Sequence, residues 1–330
     1  MEIDSLFNNF KKRHVVVIGD MMIDAYLKGS VHRMSPEAPV PIVQFESKDE
    51  RLGGAANVAL NLVHLGTKVS VCSVIGNDDA GKTLISLLQE NKINTSSLLQ
   101  DKSRKTTIKT RVLGNNQQLL RVDNEQIDDL NDAQTNQLIN EAKKIIDNGC
   151  DALIFEDYNK GVLTDKAIRE IVCYANQKGV ITTVDPKEKN FFSYKNVTLF
   201  KPNLRELELG INKKINPVAK QELSLAINEL HKAIESKCLF VTLSQYGVFI
   251  KDEKESHHVP AHVRRIADVS GAGDTVISLA TLCLVEHLPL RDVASIANLG
   301  GGLVCEEIGV VPIDKKRLKE ELMKNTNKLT

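Results

Sequence analysis

Between residues 133 and 184 the chain alternates helix-like and strand-like stretches. Helical periodicity runs to about 146, an apolar run follows at 152–155, helical periodicity returns over 164–176, and a second apolar run fills 180–184. Short all-apolar runs read as strands covered on both faces, and the amphipathic stretches between them are the helices that cover them. A chain written this way builds βαβ units, so the expected class is α/β with a mostly parallel central sheet. Residues 15–18, Val-Val-Val-Ile, supply one more such strand, which stops at Gly19. Ligands of open α/β sheets gather at the C-terminal strand ends. Asp20 and Asp24 follow the first strand, and Glu156, Asp157, Asp185 and Lys187 follow later ones. For Asp20 and Asp24 the competing reading is ordinary turn chemistry.

The chemistry concentrates in Asp268-Val269-Ser270-Gly271-Ala272-Gly273-Asp274, which opens directly into an apolar stretch with helical recurrence at Val276, Leu279, Ala280 and Leu284. Gly271, Ala272 and Gly273 therefore fall at a helix start, where backbone N–H groups lack intrahelical partners. No side chain beyond a methyl blocks an anion there, and the helix dipole favours one. Asp274 sits just inside this turn. A carboxylate is unfavourable beside a phosphate unless it has work to do, and taking a proton from an attacking hydroxyl is such work. The plainer reading is Asp as a common helix-start residue.

Composition sets limits. Lys plus Arg and Asp plus Glu each number 43 in 330 residues, with no long one-sign block, which argues against a nucleic-acid or membrane-surface partner. The six cysteines are scattered and form no C-x-x-C pair, so they read as reduced thiols. The first fourteen residues are polar overall and lack the apolar core of a signal peptide, and no apolar run approaches a membrane span. A cytoplasmic location is expected.

Three stretches allow two readings each. Residues 76–83, Gly-Asn-Asp-Asp-Ala-Gly-Lys-Thr, satisfy the P-loop pattern between a strand-like and a helix-like stretch. Against that reading, Asp78 and Asp79 would place two carboxylates inside the phosphate cradle. Residues 106–112 and 119–122 read as a hairpin around Gly114-Asn115-Asn116. Lys109 and Arg111 share a face there, with Arg121 on the partner strand, either as a solvated surface or as a grip on a substrate phosphate. Asn203 followed by Glu206 reads as a helix capping box.

The Asp268–Asp274 stretch matches the D-[TV]-[TS]-G-A-G-D signature of ribokinase-like, or PfkB-type, carbohydrate kinases at every position. Gly53-Gly54-Ala55-Ala56-Asn57 matches the family's N-terminal Gly-Gly signature. The resemblance runs from Val15 to about Pro312. It implies one three-layer ribokinase-like kinase domain over 1–330, with a small β-lid from segments about 24–46 and 105–123. It implies ATP and magnesium, with Asp274 as base and the amides of Gly271, Ala272 and Gly273 as anion hole. Asp20, Asp24, Gly53, Gly54, Asn57 and Asp157 would hold the sugar, and Lys109, Arg111, Arg121 and Lys187 its phosphate. Asn203, Leu204, Arg205, Glu206, Thr242, Ser244, Gly247 and Asn298 would line the ATP site. Glu206 would reach magnesium through water, and a monovalent cation such as potassium would sit near Asp268. The family also carries G-x-D-x-x-G where the P-loop pattern occurs.

Residues 33–41, 53–59 and 116–121, with Asp185-Pro186-Lys187, narrow the resemblance to heptose 7-phosphate kinases that are fused to an adenylyltransferase. The expected reaction is phosphorylation of D-glycero-β-D-manno-heptose 7-phosphate at its anomeric hydroxyl, on the route to ADP-heptose and lipopolysaccharide. With no H-x-G-H motif, adenylyl transfer is expected from a separate protein. An exposed lid edge suggests a homodimer. Kinases of fructose, ribose or a nucleoside, a P-loop nucleotidase and a non-catalytic sugar-binding regulator remain alternatives. No G-x-G-x-x-G follows the first strand, which argues against a dehydrogenase.

Overall fold

In chain order the elements begin α1 (Ile3–Phe10), β1 (His14–Gly19), β2 (Met21–Met34), β3 (Pro41–Gly54), α2 (Ala55–Leu65), β4 (Lys68–Gly76), α3 (Asp79–Glu90) and β5 (Asn94–Asp101). They continue with β6 (Thr107–Gly114), β7 (Gln117–Asn124), α4 (Asp132–Asp147), β8 (Ala152–Glu156), α5 (Asp165–Gln177), β9 (Ile181–Asp185) and β10 (Leu199–Phe200). The last are α6 (Leu204–Gly210), α7 (Lys220–Ile234), β11 (Cys238–Thr242), β12 (Val248–Lys251), β13 (Ser256–Val259), α8 (Ala272–Val285), α9 (Leu290–Val304) and α10 (Lys315–Thr326). This is a computed structural model, and it describes residues 2–262 and 264–326.

The large sheet has nine strands in the order β13-β12-β11-β10-β9-β8-β1-β4-β5. It is parallel from β11 to β5, and β12 and β13 add an antiparallel edge. Both faces are covered, as the all-apolar strands require. Along β1, Val15 and Val17 pack into one core with residues of α2, α8 and α9, while Val16 and Ile18 pack into a second with α4, α5 and α7. Strand order reverses at β1, which has β4 on one side and β8 on the other. The C-terminal ends of β1, β8 and β9 therefore border the crevice where such sheets bind ligands.

One helix was not legible in the expectations. The N-terminal stretch is polar overall, yet Ile3, Leu6, Phe7 and Phe10 recur at helical spacing and are all buried, so α1 is part of the core.

The second sheet has the order β3-β2-β6-β7 and is built from the segments expected to form a lid. β2 and β3 run beyond the expected 24–46 at both ends, while β6 and β7 fall almost wholly within the expected 105–123. β2 and β3 pair from Met21↔Gly54 out to Met34↔Pro41, so the sheet continues to the twin glycines. β6 and β7 form the hairpin, and Asn115 (φ 52°) and Asn116 (φ 66°) have the positive φ that a two-residue primed turn needs. Met34, Phe45, Leu120 and Val122 on these strands are exposed.

The P-loop-like stretch cradles its own side chain. Asp78 caps α3, accepting from the Gly81 amide at 2.7 Å and from the Thr106 amide at 2.9 Å. Its carboxylate fills the space a phosphate would need. Lys82 points to solvent and pairs with Asp79.

Candidate active site

Three chain segments converge at the crevice. α8 begins at Gly271, whose φ of 78° is left-handed and costs a glycine little. The Ala272 amide turns back onto the Val269 carbonyl at 3.3 Å, and the first intrahelical bond is Thr275 N–H to Gly271. The Gly273 and Asp274 amides thus have no intrahelical acceptors. The Ala272 amide, expected to join them, is engaged within the turn.

Asp274 is buried on this turn. Asn57, in the first turn of α2, donates its side-chain amide to Asp274 Oδ2 at 2.6 Å. Tyr158, from the loop after β8, donates its hydroxyl to Oδ1 at 3.2 Å. Burial pushes the Asp274 carboxyl up to about 6, with Asp185 adding to the rise and Asn57, Lys201 and Tyr158 opposing it. A carboxylate tuned this way is a base near neutral pH rather than a permanently ionised spectator.

Beyond Asp274 lie Glu156 and Asp185, at the C-terminal ends of β8 and β9. One oxygen from each of the three carboxylates lies within 4.8 Å of the others. Glu156 is 1% exposed and its Oε2 has no hydrogen-bond partner. Burial, then Asp185 and Asp274, push its carboxyl well above the usual range. A buried acceptor oxygen without a partner, among hard oxygen donors, fits a hydrated divalent cation such as magnesium. Lys201 balances the group from below: its ammonium, 2% exposed, lies 2.7 Å from Asp185 Oδ2. Burial works against that charge, but Asp185 and Glu206 outweigh it and hold Lys201 above its ordinary value. A Cβ on Gly273 would come within 3.4 Å of Asp185 and 3.7 Å of Lys201, so the glycine turn, acid and lysine are adjacent.

The other expected residues fall into groups. Gly53, next to the end of β3, lies against Asp24, where any side chain would strike the carboxylate; Gly54 caps α2 with φ 55°. Asp24 pairs with Arg111, whose guanidinium also lies 5.4 Å from the Tyr26 ring centroid. Asp20 has its carboxylate engaged by the backbone amides of Tyr158 (2.8 Å), Lys160 (3.0 Å) and Val162 (3.2 Å). Asp157 is likewise engaged, by the Asn159 amide at 2.8 Å and the Tyr194 hydroxyl at 2.8 Å. Both therefore shape the loop that carries Tyr158. Of the adjacent pair at the end of β8, the carboxylate grouped with Asp274 is Glu156.

Asn203 and Glu206 form the capping box of α6, and the remaining Glu206 oxygen pairs with Lys187 at 2.6 Å. Leu204 and Arg205 are the first residues of that helix. Thr242 bridges to Asn203, Ser244 is exposed, and Gly247 sits in the β11–β12 turn with φ 88°. Asn298 on α9 donates to the Pro260 carbonyl at 2.9 Å. Gly300 and Gly301 on the same helix are packed against Leu279 and Val276 of α8. Asp268 accepts from the Ser270 amide at 3.0 Å and from the Gly309 amide at 3.0 Å. The next residue, Val310, accepts from Tyr26 nothing but offers it its amide at 3.3 Å, while Arg51 donates to the Val310 carbonyl at 3.2 Å.

A family model described as pfkB family carbohydrate kinase matches residues 12–316, nearly the whole chain. The chain belongs to the pfkB family of carbohydrate kinases. It is a phosphotransferase that acts on a sugar hydroxyl, and the family implies ATP and magnesium. The bifunctional protein HldE of Methylobacillus flagellatus is 39% identical over 308 residues, covering 93% of this chain and 63% of that protein. HldE of Helicobacter pylori strain HPAG1 is 39% identical over 297 residues, covering 90% of this chain and 64% of that protein. The chain thus spans less than two thirds of these relatives. Phosphofructokinase-2 from Escherichia coli, solved in complex with potassium, superposes with a TM-score of 0.77 at 19% identity, covering 94% of this chain and 99% of that one. The pfkB kinase described here therefore has the ribokinase-like α/β fold, with a mostly parallel sheet and a smaller separate one.

Tyr158 and Lys201 were not among the expected pfkB site residues. Tyr158 follows Glu156-Asp157 at a strand end, and Lys201 precedes the Pro202-Asn203 helix start, so both stood beside motifs that drew attention to their neighbours.

Proposed function

We propose that this kinase transfers the γ-phosphoryl group of ATP to the anomeric hydroxyl of D-glycero-β-D-manno-heptose 7-phosphate, giving the 1,7-bisphosphate. One observation carries the proposal: Asp274 is buried with a raised carboxyl at the tip of α8, beside amides without intrahelical acceptors. The heptose assignment is supported by the motifs at 33–41, 53–59 and 116–121 and by similarity to the bifunctional HldE proteins.

In the proposed reaction Asp274 removes the hydroxyl proton as the sugar oxygen bonds to phosphorus. The bond to the bridging oxygen of ATP breaks, and ADP leaves. Amides of Gly271, Gly273 and Asp274 donate to the oxygens of the moving group, where charge builds. Asn57 and Tyr158 hold Asp274 in its ionised form and fix its direction. Glu156 and Asp185 would hold magnesium, with Glu206 reaching it through water. When bound, magnesium supplies positive charge against the ATP phosphates. Asp24, Gly53, Gly54 and Asn57 orient the sugar, with Asp20 and Asp157 acting at one remove through their loop. Asn203, Leu204, Arg205, Thr242, Ser244, Gly247 and Asn298 line the nucleotide side. A monovalent cation near Asp268 and a homodimer through the lid's exposed Phe45 and Val122 complete the reading. Adenylyl transfer toward ADP-heptose falls to a separate catalytic unit.

The test is turnover with ATP across heptose 7-phosphate, fructose, ribose, a nucleoside and their phosphates. Preference for heptose 7-phosphate, with the new phosphate at C1 by NMR, is expected. Faster turnover of another sugar would replace the substrate assignment, and no turnover of any sugar would favour a binding regulator.

A further inference from the structure

Four basic side chains were candidates for the substrate's own phosphate, and most of them are engaged elsewhere. Arg111 pairs with Asp24, and Lys187 pairs with Glu206 at 2.6 Å. Arg121 is exposed and pairs with Asp123. Lys109 differs. Its side chain is 17% exposed, and its ammonium stands 3.9 Å from both Asp123 Oδ2 and Glu125 Oε2. Among the described residues that ammonium makes no hydrogen bond, so its donors are free.

A second ammonium meets it there. Lys160, 16% exposed, reaches Glu125 Oε1 at 2.7 Å. Glu125 Oε2 is buried without a hydrogen-bond partner. Burial pushes the Asp123 carboxyl up, but Arg121, Lys109 and Lys160 outweigh it and hold it below the usual range. Three cations thus converge on two carboxylates, leaving one positive charge unbalanced. Two ammonium groups sharing one carboxylate repel each other, and a dianion set between them would relieve that repulsion.

The backbone places this cluster in relation to the base. Lys160 lies two residues beyond Tyr158, so their Cα atoms are at most about 7.6 Å apart, and the Tyr158 hydroxyl touches Asp274. The loop between them is clamped. Asp20 accepts three of its amides, and Arg104, 7% exposed, donates to the Lys160 carbonyl at 2.7 Å. One fixed loop therefore presents a hydroxyl to Asp274 and an ammonium to Glu125 beside β7.

We propose that Lys160 and Lys109, one from the main domain and one from the lid, form the seat for the phosphate at the far end of the sugar. The seat selects phosphorylated over plain sugars. This rests on the proposed sugar-phosphate reading and adds Lys160, with Glu125 and Asp123 as the carboxylates that hold the pair in place.

The experiment compares kcat and KM for a phosphorylated sugar and its unphosphorylated counterpart in wild type, Lys160→Gln, Lys109→Gln and Lys160→Arg. Each Gln variant is expected to lower the preference for the phosphorylated sugar by about tenfold to a hundredfold, carried in KM rather than kcat. Lys160→Arg should restore most of it, and inorganic phosphate should compete less well against the sugar in the Gln variants. Equal losses on both sugars, or an unmoved preference, would overturn the seat and leave the pair as a lid latch. If wild type rejects heptose 7-phosphate, fructose 6-phosphate and fructose replace that pair; the heptose reading then fails while the seat is still decided. Wild-type preference for plain sugars throughout would overturn both.

Discussion

Asn57 donates to Asp274 at 2.6 Å across 217 residues of sequence, so the first turns of α2 and α8 meet at this carboxylate. The two glycine-containing signatures are thereby one device. The first supplies the donor that steadies the acid of the second, and burial between the helices sets that acid's proton affinity.

Burial pushes the Asp274 carboxyl up to about 6 from an ordinary value of 3.8. A raised carboxyl costs stability as pH rises through that window, and the cost is complete above about 6. Asp274→Asn should therefore raise stability at pH 8 by on the order of 3 kcal/mol and leave it unchanged near pH 3.5. Turnover should fall by roughly two to four orders of magnitude. In wild type, kcat/KM should decline below about pH 6 as the base is protonated. Urea melts at the two pH values and a pH–rate profile check this, and a stability change equal at both pH values contradicts it.

Tyr158→Phe removes a donor that favours ionised Asp274. Turnover should drop roughly tenfold, and the acid limb of the rate profile should move to higher pH. A uniform loss with the limb in place would mean that the tyrosine only packs.

Glu156→Gln keeps the shape of the β8 terminus and removes its charge. The magnesium concentration for half-maximal rate should rise at least about tenfold, and the melting-temperature gain that magnesium gives wild type should shrink. Unchanged magnesium dependence would assign the metal to other residues.

Lys82→Ala should leave turnover at the wild-type level, because this lysine faces solvent beside Asp79 while Asp78 fills the loop. Loss of activity would revive the P-loop reading.

Phe10→Ala should destabilise the protein by about 3–5 kcal/mol, since Phe10 is fully buried on α1 against the sheet. Denaturant unfolding measures this. A cost near zero would mean that α1 is dispensable.

Much of the sheet could be read from the chain, because strands covered on both faces are written as unbroken apolar runs. The start of α8 was equally plain, since glycine beside an acid before an apolar helix has few uses. Helix α1 was harder: four apolar residues among polar ones vanish in an average and emerge only at 3.6 periodicity. The choice between Glu156 and Asp157 was invisible for another reason. Neighbours on a strand point to opposite faces, and which face holds the ligand depends on what packs there. Tyr158 and Lys160 gain their meaning only from contacts with Asp274 and Glu125, 116 and 35 residues away.

Val310 donates its amide to the Tyr26 hydroxyl and accepts from Arg51, one residue past the Gly309 amide that Asp268 accepts, and these bonds have a mechanical outcome. Tyr26 and Arg51 belong to β2 and β3 of the second sheet, and Asp268 opens the turn that, in the proposed reaction, receives the phosphoryl group. The second sheet is therefore not a free flap. Under the proposed function, any swing of that sheet would pull on the segment that holds Asp268, so the two substrates should feel each other's arrival before chemistry begins.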